Sequence, residues 1–280
     1  MNFEIPRIPL GSWIESGLNF LTTEFSGVTR AISRTTQAGI NLLNDGLMWL
    51  PEWALLGLIV LLCWRLSGRR LAIGAALGLA LIWNLGLWNP MIQTLTLVVI
   101  ATLVAVVIAL PLGILAAVSD RFYRVIMPVL DFMQTMPAFV YLIPAIPFFG
   151  IGSVSGIFAT VIFAMPPAIR FTTLGIRQVP TELVEAADAF GSTRTQKLVK
   201  VQLPLSLPTL MGGINQTIML SLSMVVIAAM IGANGLGSEV WRAIQRLRPG
   251  DGFEAGLAVV IMAMLLDRLT QSFRGRKRAK

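Results

Sequence analysis

Three ionisable side chains, Asp131, Arg170 and Asp267, lie within or at the edge of strongly apolar stretches of this 280-residue chain. Ionisable groups at membrane depth are candidates for proton or ion coupling. Each is expected within about two helical turns of a helix end, where it can reach the interface or pair with an opposite charge. No acidic residue falls near the middle of an apolar stretch. A carrier driven by a proton or sodium gradient would therefore lack its usual coupling group.

The residues that metal, disulfide or phosphate chemistry requires are scarce. The chain has no histidine and one cysteine, Cys63, which we predict to be a small buried hydrophobic side chain. This composition excludes a His/Cys metal site and a disulfide framework. The sequence also lacks the phosphate-binding pattern Gly-x-x-x-x-Gly-Lys-Ser/Thr. We predict that the chain binds no cofactor and is not an enzyme.

The elements that position these residues are predicted to be transmembrane helices. Of the 280 residues, 55% are hydrophobic and 13% are charged, whereas a soluble domain carries about 25% charged residues. We predict an all-α, polytopic membrane protein of about seven transmembrane helices, because seven apolar segments can cross a bilayer. These segments cover residues 51–65, 71–88, 91–118, 127–149, 153–174, 209–232 and 254–272.

Basic residues alternate between the connections. The net charge is +8, and the charges are separated by apolar runs, which argues against a nucleic-acid surface. The first, third and fifth connections carry Lys or Arg, including Arg69, Arg121 and Lys197, whereas the second and fourth carry none. Because Lys and Arg collect on the cytoplasmic side, we predict a membrane protein with its N-terminus outside and its C-terminus inside.

The segment before the first span is predicted to be amphipathic. Its apolar residues recur at steps of three and four, which places them on one face of a helix. We expect residues 11–46 to form one or two helices that lie on the outer membrane surface or against the bundle. Packing on a second copy of the chain is the alternative. The apolar residues are Ile14, Leu18, Leu21, Phe25, Val28 and Ile32.

Proline is concentrated in the fourth and fifth predicted spans. Proline removes a backbone donor and disturbs the helix, and such breaks occur at membrane depth where protein or a water-filled cavity covers the freed carbonyls. The two spans are therefore candidates for the lining of a pathway, with simple kinks for packing as the alternative. The prolines are Pro128, Pro137, Pro144, Pro147, Pro166 and Pro167.

The long connection 181–204 is predicted to form a helical hairpin. Thr181 is placed to cap the first helix, and Gly191 is placed to end it. Ser192 is then expected to cap a second helix, which Pro204 is expected to end.

This connection resembles the EAA loop of bacterial ABC importer permeases. The pattern is EAA, three residues, G, nine residues, I, one residue and LP, and every spacing is met, with Val201 in the isoleucine position. The resemblance implies that the loop is the coupling helix seated in a cleft of a separate ATPase subunit, which binds ATP and magnesium. The matching residues are Glu185, Ala186, Ala187, Gly191, Val201, Leu203 and Pro204.

Three further stretches resemble the quaternary-amine branch of these permeases: DFMQTMPAFVYLIPAIPFFGIG (131–152), MPPAIRFTTLGIRQVP (165–180) and MIGANGLGSEVW (230–241). The branch imports glycine betaine, choline, proline betaine or proline. It implies an extracytoplasmic binding protein, two ATPase subunits and a second copy of this chain as partners. A methionine-type permease, and an ion-coupled carrier with a coincidental loop, are the alternatives.

A quaternary ammonium has no hydrogen-bond donor, and proteins hold it against aromatic rings. We nominate Met136, Pro137, Phe139 and Tyr141 as pathway candidates, although rings in apolar spans are more commonly packing residues. The rings of the core spans are Phe132, Phe139, Tyr141, Phe148, Phe149, Phe158 and Phe163. We predict four regions: an amphipathic segment (1–50), two extra spans (51–90), the permease core with the hairpin 181–204 (91–272) and a basic tail (273–280).

Overall fold

A computed structural model describes residues 9–275, and the side chains of residues 9–272, as helices joined by short turns. This part of the chain contains no β-strand, which confirms the all-α prediction. The predicted basic tail falls outside the described side chains. The helices are α1 (Leu10–Glu24), α2 (Ser26–Trp49), α3 (Glu52–Ser67), α4 (Arg69–Asn84), α5 (Trp88–Val118), α6 (Asp120–Thr135), α7 (Leu142–Phe149), α8 (Ser153–Arg177), α9 (Thr181–Ala189), α10 (Arg194–Lys197), α11 (Leu203–Ala228), α12 (Leu236–Gln245) and α13 (Pro249–Gly275).

Several of these helices are long and apolar enough to cross a membrane. Within the described residues, α5, α8 and the continuous stretch Arg194–Ile231 qualify singly, and the bent pairs α2–α3 and α6–α7 raise the number to at most five. A polytopic membrane protein is thereby confirmed, with fewer spans by length and composition than the seven predicted. The helices α3 and α4 have 16 residues each. At 1.5 Å per residue they are about 24 Å long, short of the ~30 Å hydrocarbon core.

The predicted fourth span, 127–149, is not one helix. It is divided into α6 and α7, which meet at an angle of 110°. Helix α6 ends at Thr135, because the residue before a proline is pushed towards extended backbone and Met136 has ψ 134° before Pro137. One turn of 3₁₀ helix, Ala138–Tyr141, leads into α7. The prediction that proline disturbs this span is confirmed.

Helix α8 lies at the centre of the bundle, between α5 and α11. Small residues let the three backbones approach closely, as is common between membrane helices. A Cβ atom on Gly113 of α5 would lie 2.6 Å from Cβ of Thr172 on α8. The Thr173 hydroxyl donates a hydrogen bond of 3.0 Å to the Gly113 carbonyl in the same contact. Glycine is therefore the only residue that fits at position 113 without displacing α8.

Several charged side chains near the helix ends have polar or charged partners on another helix. Asp131 on α6 pairs with Arg170 on α8, as the pairing hypothesis predicted. Arg177 at the end of α8 contacts Asp120 at 2.7 Å and lies 4.2 Å from the centre of the Tyr123 ring. Asp267 on α13 accepts hydrogen bonds instead, from Asn215 at 2.9 Å and from Gln271 at 2.8 Å. Cys63 is fully buried, as predicted.

The N-terminal segment forms two helices, α1 and α2, separated at Phe25. Ile40 of α2 is buried among other apolar side chains. The predicted apolar stripe, however, is not covered by the described chain: Ile14 is 62% exposed and Val28 is 56% exposed. The two helices themselves contact α5, α7 and α8, so the segment lies against the bundle, as one form of the prediction had it, while the apolar stripe stays exposed. The membrane surface and a second copy of the chain stay as its predicted partners.

We expect Gly113→Ala to destabilise the bundle by about 1–3 kcal/mol, because the added methyl group overpacks the α5–α8 contact. The measurement is thermal unfolding of the purified protein in detergent. Gly74→Ala is the matched control, since a Cβ atom at Gly74 of α4 meets nothing within 4 Å and alanine favours the helix by about 1 kcal/mol. Equal unfolding temperatures for the two variants would contradict the close-packing argument.

Candidate functional site

The hairpin 181–204 begins with the exposed helix α9. Pro180 occupies the N-cap position, and it has no side chain that can cap the helix. Thr181 is the first helical residue, so the prediction that Thr181 is the cap is wrong. The extended Pro180 (ψ 132°) instead presents its carbonyl to the N–H of Leu183 at 3.1 Å. Proline suits this place because the first N–H groups of a helix have no partner within the helix.

Gly191 ends the first arm, as predicted. Its φ of +75° is in the left-handed region that favours glycine. The N–H of Gly191 donates to the Asp188 carbonyl at 2.9 Å, and the N–H of Ser192 donates to the Ala187 carbonyl at 3.0 Å. These bonds satisfy the last carbonyls of α9, and they reverse the chain in a tight turn.

Thr193, and not the predicted Ser192, caps the second arm. The Thr193 hydroxyl accepts from the Gln196 N–H at 3.3 Å, and the Gln196 side chain accepts from the Thr193 N–H at 2.9 Å. This reciprocal capping box satisfies two donors that the helix leaves free. Lys197 also donates to both carboxylate oxygens of Asp188 at 2.7 Å. The two arms are thus tied together across the turn.

The second arm does not end at Pro204, contrary to the prediction. Residues Leu198–Gln202 form one turn of π-helix, and α11 begins at Leu203. In a regular α-helix interior, Pro204 would leave the carbonyl four residues before it without a donor. The π-helical turn changes the pattern of backbone hydrogen bonds before Pro204. Pro204 therefore lies in the first turn of α11, where proline is tolerated. The hairpin arm and the core helix therefore form one continuous helical rod, Arg194–Ile231.

The motif residues divide between the two ends of this hairpin. Glu185, Ala186 and Gly191 are exposed on the first arm and the turn, with Ala187 half-buried beside them. Val201 and Leu203 are half-buried where the second arm joins α11, and Pro204 is exposed there. The structure thus places an exposed small-residue surface at one end and half-buried apolar side chains at the other, where the hairpin joins α11.

Sequence reasoning missed Phe190. Its side chain is 91% exposed at the end of α9, and Leu183 on the same helix is 45% exposed. Exposed apolar side chains that cluster on a projecting element indicate a protein interaction surface. The signal was present in the sequence, because Phe190 is an aromatic residue within a polar connection.

Of the four nominated pathway residues, Tyr141 is buried and Phe139 is 57% exposed. The Tyr141 hydroxyl donates to the Met133 carbonyl, and its ring packs edge-on against Phe163, with 5.8 Å between ring centres. Met136 packs in the same cluster, and Pro137 forms the break after α6. None of the four lines the cavity described next.

That cavity has a volume of about 350 Å³ and opens between α6, α8 and α11. Phe163 was among the rings that the sequence singled out, whereas Phe171 and the two glutamines were missed. The sequence signal for Phe171 is the spacing of four residues along α8, which places Phe163, Pro167 and Phe171 on one helix face. The lining residues are Gln134, Phe163, Pro167, Phe171, Gln216 and Leu220.

Acidic and cysteine side chains do not converge on a metal site within the described residues. The features with functional geometry are therefore the projecting hairpin and the cavity between the core helices.

Comparison with known proteins gives long matches. The family described as "Binding-protein-dependent transport system inner membrane component" matches residues 109–275. The chain is 50% identical to the glycine betaine transport system permease protein OpuAB of Bacillus subtilis, over 99% of this chain and 98% of the relative. It is 54% identical to the glycine betaine/carnitine transport permease protein GbuB of Listeria monocytogenes, again over 99% of this chain and 98% of the relative.

A relative from Escherichia coli, the glycine betaine/proline betaine transport system permease protein ProW, is 45% identical over 96% of this chain and 76% of its own length. Among solved structures, an inward-facing MetNI methionine ABC transporter has a TM-score of 0.61 and 24% identity, and covers 67% of this chain and 92% of its own. This likeness shows the fold. The chain belongs to the family of inner-membrane permease subunits of binding-protein-dependent ABC importers, which translocate a solute while a separate subunit hydrolyses ATP.

Proposed function

We propose that this permease imports a quaternary amine, with glycine betaine as its principal substrate. The observation that carries the proposal is the similarity, over nearly the whole chain, to two permeases named for glycine betaine, at 50% and 54% identity. A relative named for choline is only 29% identical over 62% of this chain. Choline, the other quaternary amine of the prediction, therefore has weaker support than glycine betaine.

The hairpin is the proposed contact with the ATPase. Its tip presents small residues and Phe190, and a rigid pair of short helices can enter a cleft in a partner. The second arm is continuous with α11, and α11 packs along α8. A displacement of the tip is therefore passed to α11 and α8, two of the three helices that line the cavity, with no flexible linker between the hairpin and α11.

The proposed assembly contains two copies of this chain, because two ATPase sites need two coupling loops and the chain has one. Two ATPase subunits, which hold ATP and magnesium, bind the hairpins, and a loaded binding protein docks on the opposite face. Each state of the cavity must then be favoured by the differential affinity of a partner. ATP-driven closure of the ATPases favours the outward-open state, and hydrolysis restores the inward-open one.

The proposed orientation has the hairpin inside the cell and the N-terminus outside. We expect Thr195→Cys, on the exposed second arm, to react with a membrane-impermeant maleimide only after the cells are permeabilised. Gln245→Cys at the end of α12 is the opposite-face control and should react in intact cells. The native Cys63 is fully buried, and the wild-type chain therefore gives the background level of maleimide labelling. Labelling of Thr195→Cys from the outside would overturn the orientation and the coupling role together.

Phe190→Ala should weaken binding of the ATPase by about tenfold or more, because aromatic anchors buried at an interface are frequent hot spots. Phe253→Ala is the matched control, since Phe253 is 75% exposed at the start of α13, outside the hairpin. The measurement is the concentration of ATPase needed to reconstitute hydrolysis with each purified variant. An unchanged concentration for Phe190→Ala would remove this side chain from the contact.

The function itself is tested with the complete importer in proteoliposomes. We expect glycine betaine, presented on the binding protein encoded with this chain, to stimulate ATP hydrolysis and to enter the vesicles only when ATP is present. Choline, proline and methionine are compared in the same assay. Uptake that follows an ion gradient without ATP would contradict the proposal, and stimulation by methionine alone would replace the substrate.

A further inference from the structure

We propose that the cavity between α6, α8 and α11 is the site at which this permease contacts its substrate during passage. Phe163 and Phe171 take the quaternary ammonium group, and the amides of Gln134 and Gln216 donate to the carboxylate. The assignment rests on the proposed function, because it takes a trimethylammonium zwitterion as the substrate.

The two rings lie on one wall of the cavity and are held in place. Phe163 is supported from behind by the edge-on Tyr141 ring. Phe171 packs against Gly213 of α11, where a Cβ atom would lie 2.6 Å from Cβ of Phe171. The absence of a side chain at Gly213 therefore leaves the space that the aromatic residue occupies. Fixed aromatic rings are suited to a quaternary ammonium, which is attracted to the ring face and has no hydrogen-bond donor.

The polar part of the lining consists of two primary amides. Gln134 and Gln216 are exposed to the cavity, and neither side chain makes a hydrogen bond to another described residue. Each amide offers two N–H donors and one acceptor. A carboxylate, which accepts hydrogen bonds only, can therefore bind to these groups without a charged partner.

No charged side chain lines the cavity. The nearest charges in sequence, Asp131 three residues before Gln134 and Arg170 one residue before Phe171, pair with each other. A neutral lining suits a zwitterion, whose net charge is zero. The neutral lining also keeps binding weak, and a binding site in a translocation pathway must release its solute as readily as it accepts it. The volume of about 350 Å³ is at the small end of the range for ligand pockets, ~300–1,000 Å³.

The first test measures contact directly and without turnover. The complex of permease and ATPase, in lipid nanodiscs and without the binding protein, is mixed with glycine betaine, and saturation transfer to its methyl protons is recorded by NMR. The comparison probe is 3,3-dimethylbutanoate, which has the same shape with carbon in place of the charged nitrogen. We expect saturation transfer to glycine betaine and several-fold less transfer to 3,3-dimethylbutanoate.

The variants Phe163→Leu and Phe171→Leu keep an apolar side chain in each position and remove the ring face. Each should weaken the glycine betaine signal by about fivefold, the size of a cation–π contact of about 1 kcal/mol. Phe132→Leu is the matched control, because Phe132 is 65% exposed on α6 and does not line the cavity. Equal signals from the two probes, or leucine variants that match the wild type, would overturn the assignment.

Uptake by the full importer separates this inference from the proposed function. If the wild type takes up no glycine betaine with ATP, the proposed function fails. If the wild type transports glycine betaine and both leucine variants transport at its maximal rate, only the cavity assignment fails. The expected result is a maximal rate that falls several-fold in both leucine variants and stays at the wild-type value in Phe132→Leu.

Discussion

Close contact between the backbones of α5, α8 and α11 is the interaction on which the rest of this structure depends. Between membrane helices there is little hydrophobic gain from burying one apolar side chain against another, since lipid is equally apolar. Association therefore rests on dispersion contacts and hydrogen bonds, and both need short distances. Glycine at positions 113 and 213 permits those distances. The same contact positions Phe171 in the cavity and joins α8 to the rod that carries the hairpin.

Proline has different effects at three places in this chain. Before Pro137, the backbone of Met136 is extended and α6 stops. At Pro204, a π turn precedes the residue and the helix continues. Pro166 and Pro167 are buried within α8, which runs unbroken from Ser153 to Arg177. The local cost of proline is low at the start of a helix and high in its interior, so the packing of α8 against its neighbours has to compensate for Pro166 and Pro167.

The charges at the helix ends show how a membrane helix tolerates ionisable groups. Arg170 with Asp131 and Arg177 with Asp120 are opposite charges on different helices. Partly exposed pairs of this kind add little stability. Their role here is to bring α6 against α8 and to leave the neighbouring cavity lining without net charge, which an unpaired arginine would not allow.

The sequence by itself determined the helical class, the membrane location and the hairpin. These follow from local quantities: the apolar content of each segment, the spacing of the EAA pattern and the turn at Gly191. It also indicated the pairing of Asp131, because an ionisable group near a helix end has few other ways to be satisfied.

Only the tertiary structure decided which aromatic residues line the cavity. Tyr141 and Phe163 are both rings in apolar segments, yet Tyr141 supports Phe163 from behind and Phe163 faces the open space. The continuity of α10 with α11 also depended on packing, since Pro204 alone predicts a helix end. Side-chain environment is set by residues distant in sequence, and periodicity along a single helix carries no information about which neighbour covers each face.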